Sequence, residues 1–208
     1  MALTLTGRLL CAAQHTYMIT DTGVTPDSPA YPAPSPSSLV GYLTPPACFA
    51  AGVGRINAGL VGETATEIIV AFRGTEPYDS PDHGQMIRDW LNDVNALLVP
   101  EPGMPGLVHE GFRDALNTIW PAMWPEIQAR VAASPGKPLY FTGHSKGGAI
   151  APLAAMRCLS PDVVPYVCTF AAARCGDQDF ADGYNVAVPH SVRYEYQDDI
   201  VPHLPPED

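Results

Sequence analysis

Pro138-Leu-Tyr-Phe-Thr-Gly-His-Ser145-Lys-Gly-Gly-Ala-Ile-Ala-Pro-Leu-Ala-Ala155 changes character halfway along its length. Leu139 to Thr142 is a short apolar run of the kind that forms a buried strand. The run stops at Gly143, turns through His144, Ser145 and Lys146, and resumes at about Gly148 as an Ala-rich helix. The spacing Gly143-x-Ser145-x-Gly147 is that of a nucleophile elbow, and it sits in the strand–turn–helix setting such a turn requires. Strand and helix backbones meet closely at this turn, which leaves no room for a Cβ on either glycine. Ser145 then projects its hydroxyl from the top of a sheet, beside a helix N-terminus that favours negative charge. The plainer reading, a structural strand–helix turn, lacks a reason for a serine at the apex.

Outward from the elbow, strands and helices alternate. Glu67-Ile-Ile-Val-Ala-Phe-Arg73 is continuously apolar, as in a strand covered on both faces, and ends in Gly74-Thr75 where α/β sheets place their ligands. Val163 to Phe170 and Ser191 to Tyr196 read as two more strands, the second leading into Asp198-Asp199-Ile-Val-Pro202. His109 to about Ala133 is helical, with Pro121 and Pro125 expected to break or kink it, Pro121 most simply as the first residue of a second helix. Toward the N-terminus, Leu3 to Tyr17 reads as a helix and Ala51 to Gly62 as an antiparallel strand. Val24 to Pro46 carries seven prolines and is expected to be an extended surface connector without helix. Met86 to Leu98 has Ile87, Trp90, Leu91, Val94 and Leu98 on one helical face, which suits either a core helix or a lid over a nearby site. Together these elements make a single domain over 1–208, of the α/β class with a largely parallel sheet flanked by helices.

Composition narrows the partners. A formal net charge of -11 over 208 residues opposes nucleic acid and anionic membrane surfaces. Charged residues are 16%, below the roughly 25% usual for soluble domains, which leaves neutral surface suited to an apolar substrate. The cysteines (Cys11, Cys48, Cys158, Cys168, Cys175) are odd in number and form no Cys-x-x-Cys pair, so they read as small buried hydrophobes in a reducing compartment, a single disulfide remaining open. No basic leader and no run approaching ~18 apolar residues is visible, so a cytoplasmic setting without stable membrane insertion is expected, or secretion if a leader was removed. No two histidines stand at metal-ligand spacing, and neither metal nor other cofactor is called for.

Serine becomes a nucleophile only when a base takes its proton, usually a histidine held by a carboxylate. On this kind of elbow the chain order is Ser, then Asp or Glu, then His. Asp198 and Asp199, just past the end of a later strand, meet the condition for the acid.

Four motifs, Val70-Ala-Phe-Arg-Gly-Thr75, His109-Glu-Gly-Phe112, Gly143-His-Ser-Lys-Gly-Gly148 and Asp199-Ile-Val-Pro-His-Leu-Pro-Pro206, resemble in order and spacing the class 3 (fungal-type) lipases of the α/β-hydrolase fold. Thr169-Phe-Ala-Ala with Gly176 fits the same pattern, and the resemblance runs from about Ala51 to the C-terminus. It implies Ser145 as nucleophile, Asp199 as triad acid, and the backbone N–H groups of Thr75 and Lys146 as the oxyanion hole. It also implies a lid at Arg88-Asp-Trp90-Leu-Asn-Asp93, with Trp90 and Leu91 facing substrate. Two departures stand out. Lys146 occupies a position that is commonly apolar in the family, where a cation could reshape acyl preference. The family's catalytic histidine lies several tens of residues beyond the aspartate, which implies a C-terminal segment, in the same chain or as a separate piece, that supplies the base.

Of the histidines present, His144 is read as a packing residue, His109 matches a position that is not the base, and His15, His83 and His190 have no motif support. His203 is the only positional candidate. The resulting expectation is a serine carboxylic-ester hydrolase acting on acylglycerols or related lipid esters. Its alternatives are a short-chain or aromatic-acid esterase, and a non-catalytic acyl-binding module that lacks the base.

Overall fold

The computed structural model describes residues 3–20, 23–24, 36–52, 56–75 and 97–205. In chain order these form α1 (Leu5–His15), β1 (Ile19–Thr20), β2 (Gly23–Val24), α2 (Pro36–Val40), β3 (Ala47–Ala51), β4 (Asn57–Glu63), β5 (Ile68–Phe72), β6 (Leu98–Val99), β7 (Val108–His109), α3 (Glu110–Ala133), β8 (Leu139–His144), α4 (Lys146–Arg157), β9 (Tyr166–Phe170), α5 (Gln178–Ala187) and β10 (Ser191–Tyr194). Six strands make one sheet in the order β10-β9-β8-β5-β4-β3. β10, β9, β8 and β5 run parallel; β4 and β3 complete the other edge antiparallel.

β5 shows why the centre is stable. Its five residues are all fully buried. Ile68, Val70 and Phe72 point to one face and pack with Phe112, Leu116, Ile119, Met123 and Phe141 beneath α3 and α4. Ile69 and Ala71 point to the other and join Leu9, Ala12, Leu60 and Phe170 beneath α1. A strand apolar on both faces is what a helix-covered sheet demands. Arg8 of α1 reaches the buried Glu67 at the foot of β5 through two bonds, 3.0 Å from Nε and 2.5 Å from Nη2.

Three sequence readings change. The stretch read as one strand from Ala51 is a hairpin: β3 precedes it, turns at Gly52 and returns as β4 with Cys48 opposite Leu60. The proline-rich connector contains the short helix α2. α3 runs unbroken through Pro121 and Pro125 for 24 residues, so Pro121 starts no second helix. Both prolines are exposed. Being four apart, they free the carbonyls of Asn117 and Pro121 on the exposed side of the helix, where a lost N–H bond costs least. Leu116, Ile119, Met123 and Ile127 meanwhile stay anchored on the opposite stripe. Met86 to Leu97 falls almost wholly outside the described residues, and Leu98 belongs to β6, paired with His109. All five cysteines are free thiols. No described helix is long and apolar enough to cross a membrane.

Candidate active site

Ser145 stands between β8 and α4 with φ 54° and ψ −122°, a conformation that costs a non-glycine residue free energy and persists only when its surroundings enforce it. They do. A Cβ on Gly147 would lie 2.1 Å from the Phe72 carbonyl oxygen, and one on Gly143 would lie 2.3 Å from the Gly147 carbonyl. The elbow is therefore wedged against the end of β5 with backbone touching backbone. The Ser145 N–H donates to the Phe170 carbonyl at 3.0 Å, tying the apex to β9 as well.

Ser145 is 2% exposed, and its Oγ has no hydrogen-bond partner. A buried hydroxyl left unsatisfied costs about 1–3 kcal/mol. The first intrahelical bond of α4 runs from the Ala149 N–H to the Ser145 carbonyl at 3.2 Å, and no side chain caps the helix. The amides of Lys146, Gly147 and Gly148 thus have no intrahelical acceptor at the positive end of the helix dipole.

The second half of the site is the end of β5. β5 pairs with β8 so that Phe72 faces Gly143. Past Phe72 the chain stays against the elbow, since a Cβ on Gly147 would also lie 2.9 Å from the Arg73 carbonyl carbon, and Thr75 follows two residues on. Thr75 Oγ1 is buried and, like Ser145 Oγ, has no partner. Gly74 between them has no space for a side chain: a Cβ would lie 2.1 Å from the Tyr17 hydroxyl and 2.7 Å from the His144 carbonyl oxygen. Two orphaned hydroxyls thus stand past the ends of adjacent parallel strands, one of them at a helix N-terminus. Donors at such a position can receive a carbonyl as it gains negative charge.

Asp199 follows β10. Its N–H donates to the Tyr196 carbonyl at 2.9 Å, and its Oδ1 accepts from the Val201 N–H at 3.0 Å. It is half-buried, whereas its neighbour Asp198 is exposed. Its charge reaches the elbow: burial lowers the His144 pKa, and the Asp199 carboxylate opposes that shift. His144 itself shares a 3.0 Å hydrogen bond from Nδ1 to the Tyr17 hydroxyl, the packing role expected of it.

The remaining histidines separate. His203 is exposed in the turn Val201–His203, and His190 is exposed and stacks on Tyr166 with ring centres 4.6 Å apart. His109 is buried beside Phe112. His15 is neither a surface nor a satisfied core residue: it is 1% exposed with both ring nitrogens unpartnered, and burial pushes its pKa down to about 4. No described histidine bonds Ser145 Oγ. His83, Trp90, Leu91 and the rest of the lid segment lie outside the described residues. Among the described residues no cluster of His, Cys, Asp and Glu could hold a metal ion.

Lys146 is the residue whose side chain sequence reasoning misplaced. It is 3% exposed, and its Nζ donates to the Ile56 carbonyl at 3.2 Å and to Asn57 Oδ1 at 3.1 Å. The expectation from sequence is a cation able to reshape acyl preference; the acceptors that receive it come from a hairpin some ninety positions earlier in the chain. A separate cleft of about 710 Å³ opens from Gly148 and Ala172 toward Phe180, Tyr184 and Arg193, and neither Ser145 nor Thr75 lines it.

The fold and the elbow define an α/β hydrolase. Comparison with known proteins narrows this: the family profile described as Lipase (class 3) matches residues 69–208, so the chain belongs to the class 3 lipase family. A Caenorhabditis elegans lipase is 32% identical over 162 residues, 74% of this chain and 42% of that protein. The Rhizomucor miehei lipase is 30% identical over 155 residues, 70% of this chain and 39% of that protein. The chain thus spans about two-fifths of the length of these curated relatives. The solved Rhizomucor miehei lipase–propeptide complex superposes with a TM-score of 0.73 at 24% identity, covering 97% of this chain and 62% of its own.

Proposed function

We propose that this chain carries the nucleophile and oxyanion hole of a serine carboxylic-ester hydrolase acting on acylglycerols or related lipid esters. Ser145 Oγ attacks the ester carbonyl as a base takes its proton. The tetrahedral oxyanion is received by the Thr75 and Lys146 N–H groups. The base returns the proton to the leaving alcohol, and water then releases the acid from the acyl-enzyme by the same steps. Asp199 orients the base, which a C-terminal segment beyond the aspartate supplies. Trp90 and Leu91 are assigned to the lid.

The observation that carries this reading is the buried Ser145 hydroxyl, unpartnered at an elbow with positive φ, next to a second buried orphan hydroxyl on Thr75. Such groups are retained at a cost where chemistry uses them. The test is hydrolysis of p-nitrophenyl butyrate and of an emulsified triacylglycerol, beside Ser145→Ala. Removing the nucleophile is expected to lower turnover on the order of 10⁴-fold or more where the base is present. Faster turnover on the emulsion supports the lipase; preference for the soluble ester supports a short-chain esterase.

A second reading is favoured by one observation, the absence of any described histidine bonded to Ser145 Oγ. In that reading the fold binds acyl groups without cleaving them. Equal rates for the chain and Ser145→Ala with the base-bearing segment present, together with retained binding of a fatty acid, would establish it.

A further inference from the structure

We propose that the Lys146 side chain is a positioning residue for the oxyanion hole: its ammonium straps the elbow to the start of β4 across the end of β5. This rests on the reading of Ser145 as the nucleophile and Thr75 as the partner donor.

The argument begins with sheet order. β5 lies between β8, which leads into Lys146, and β4, which begins at Asn57. β4 pairs with β5 so that Gly59 faces Phe72, and continuing that register places Asn57 opposite Gly74. The Arg73 N–H donates to the Ala58 carbonyl at 2.9 Å, so the pairing persists past the end of the named strand. A side chain running from Lys146 to Ile56 and Asn57 must therefore span the segment Arg73-Gly74-Thr75, which holds one oxyanion donor, while its own backbone N–H is the other. The far end of the strap is anchored in turn. Asn57 Nδ2 donates to Thr118 Oγ1 at 3.1 Å, and Thr118 Oγ1 donates to the Ala115 carbonyl at 2.7 Å on α3. The chain of bonds thus joins elbow, hairpin and helix around the end of β5.

The chemistry explains why a cation stands where an apolar residue would pack. Burying an ammonium is costly unless several acceptors receive it. Two described oxygens receive it, and both would lose this donor if Lys146 were apolar. The ammonium also lies no farther from the Lys146 N–H than the length of its own side chain. In a site shielded from water, a fixed positive charge at that range favours a developing oxyanion. With the ammonium bonded to the start of β4, its effect falls on the geometry and field of the hole.

The experiment compares Lys146→Met, Lys146→Arg, Asn57→Ala and the Lys146→Met/Asn57→Ala double variant on p-nitrophenyl butyrate, with Ser145→Ala as background. Lys146→Met is expected to lower kcat about 10- to 100-fold with KM within about threefold, since misplacing an oxyanion donor costs transition-state stabilisation alone. Lys146→Arg should recover much of the loss. Asn57→Ala should lower kcat too, and the double variant should be no worse than Lys146→Met within about twofold, because both changes cut one strap. An unchanged kcat in Lys146→Met, a rise in KM alone, or losses that multiply in the double variant would each overturn the proposal. Amide exchange supplies a readout independent of turnover. The Arg73 amide should exchange at least about tenfold faster in Lys146→Met while Ile69 to Ala71 keep their protection, and unchanged Arg73 protection overturns the strap. If the unmodified chain and Ser145→Ala hydrolyse ester equally with the base-bearing segment present, the hydrolase reading fails on its own, and exchange alone judges the strap.

Discussion

The centre and one edge of the same sheet are built to different standards. At the centre, β5 is buried along its whole length, and the elbow leaves a backbone oxygen where a single methyl on Gly147 would have to go. At the β10 edge, Val192 is 50% exposed, Tyr194 45% and Tyr196 75%. α1 lies over β5, β8 and β9, while Val192 and Tyr194, in register with Cys168 and Phe170, present an aromatic and apolar strip beyond its reach. The difference shows where precision is needed. Ser145, Thr75 and Lys146, the proposed nucleophile and oxyanion donors, sit where two parallel strands and a helix cannot move independently, and Asp199, the proposed acid, alone comes from the looser edge.

That contrast can be broken by measurement. The largest effect is expected from Gly147→Ala, because the new methyl meets the Phe72 carbonyl, which cannot yield without displacing β5. A destabilisation above about 4 kcal/mol, a drop in Tm of roughly 10 °C or more, should appear in calorimetry. Next comes Phe141→Ala in β8, a fully buried side chain whose truncation leaves a cavity and costs about 3–5 kcal/mol by denaturant titration.

A third test uses His15. Its folded pKa of about 4 lies below the ordinary 6.5, so between those values the unfolded chain takes up a proton that the folded chain refuses. The stability this represents is complete above pH 6.5 and is lost as pH falls toward 4. The full loss is on the order of 3 kcal/mol. Urea midpoints measured from pH 7 to 4 should fall in the wild type and flatten over that window in His15→Phe. The smallest effect is expected at the edge: Tyr194→Ala should cost under about 1 kcal/mol, since half its surface already meets water. A loss there as large as that of Phe141→Ala would mean that the β10 face is covered in solution, and the two regions would no longer differ.

Much of the fold was legible because its signals are local. Continuous apolarity in β5 and β8, the glycine spacing of the elbow and the Asp199 position after β10 each reflect a constraint acting on neighbouring residues. β3 escaped notice for a local reason as well: Ala47–Ala51 is half-buried throughout and, apart from Phe49, made of small residues, with no alternation to mark a strand. The prolines of α3 misled because their cost depends on which side of the helix they occupy, and only packing decides that. His15 was read as ordinary because burial without a partner leaves no trace in the flanking residues.

The sequence by itself determined the family and the elbow on which the proposed chemistry rests, since a serine at a glycine-flanked strand–helix turn needs no distant residue to be recognised. It also determined the parallel core, because both-sided burial is written into each strand's composition. Tertiary structure alone decided where the Lys146 ammonium goes, how Thr75 comes to stand beside the elbow, and that Ser145 Oγ is buried without a partner. These depend on strand register and on groups about ninety residues apart in the chain, brought together only when the sheet closes around β5.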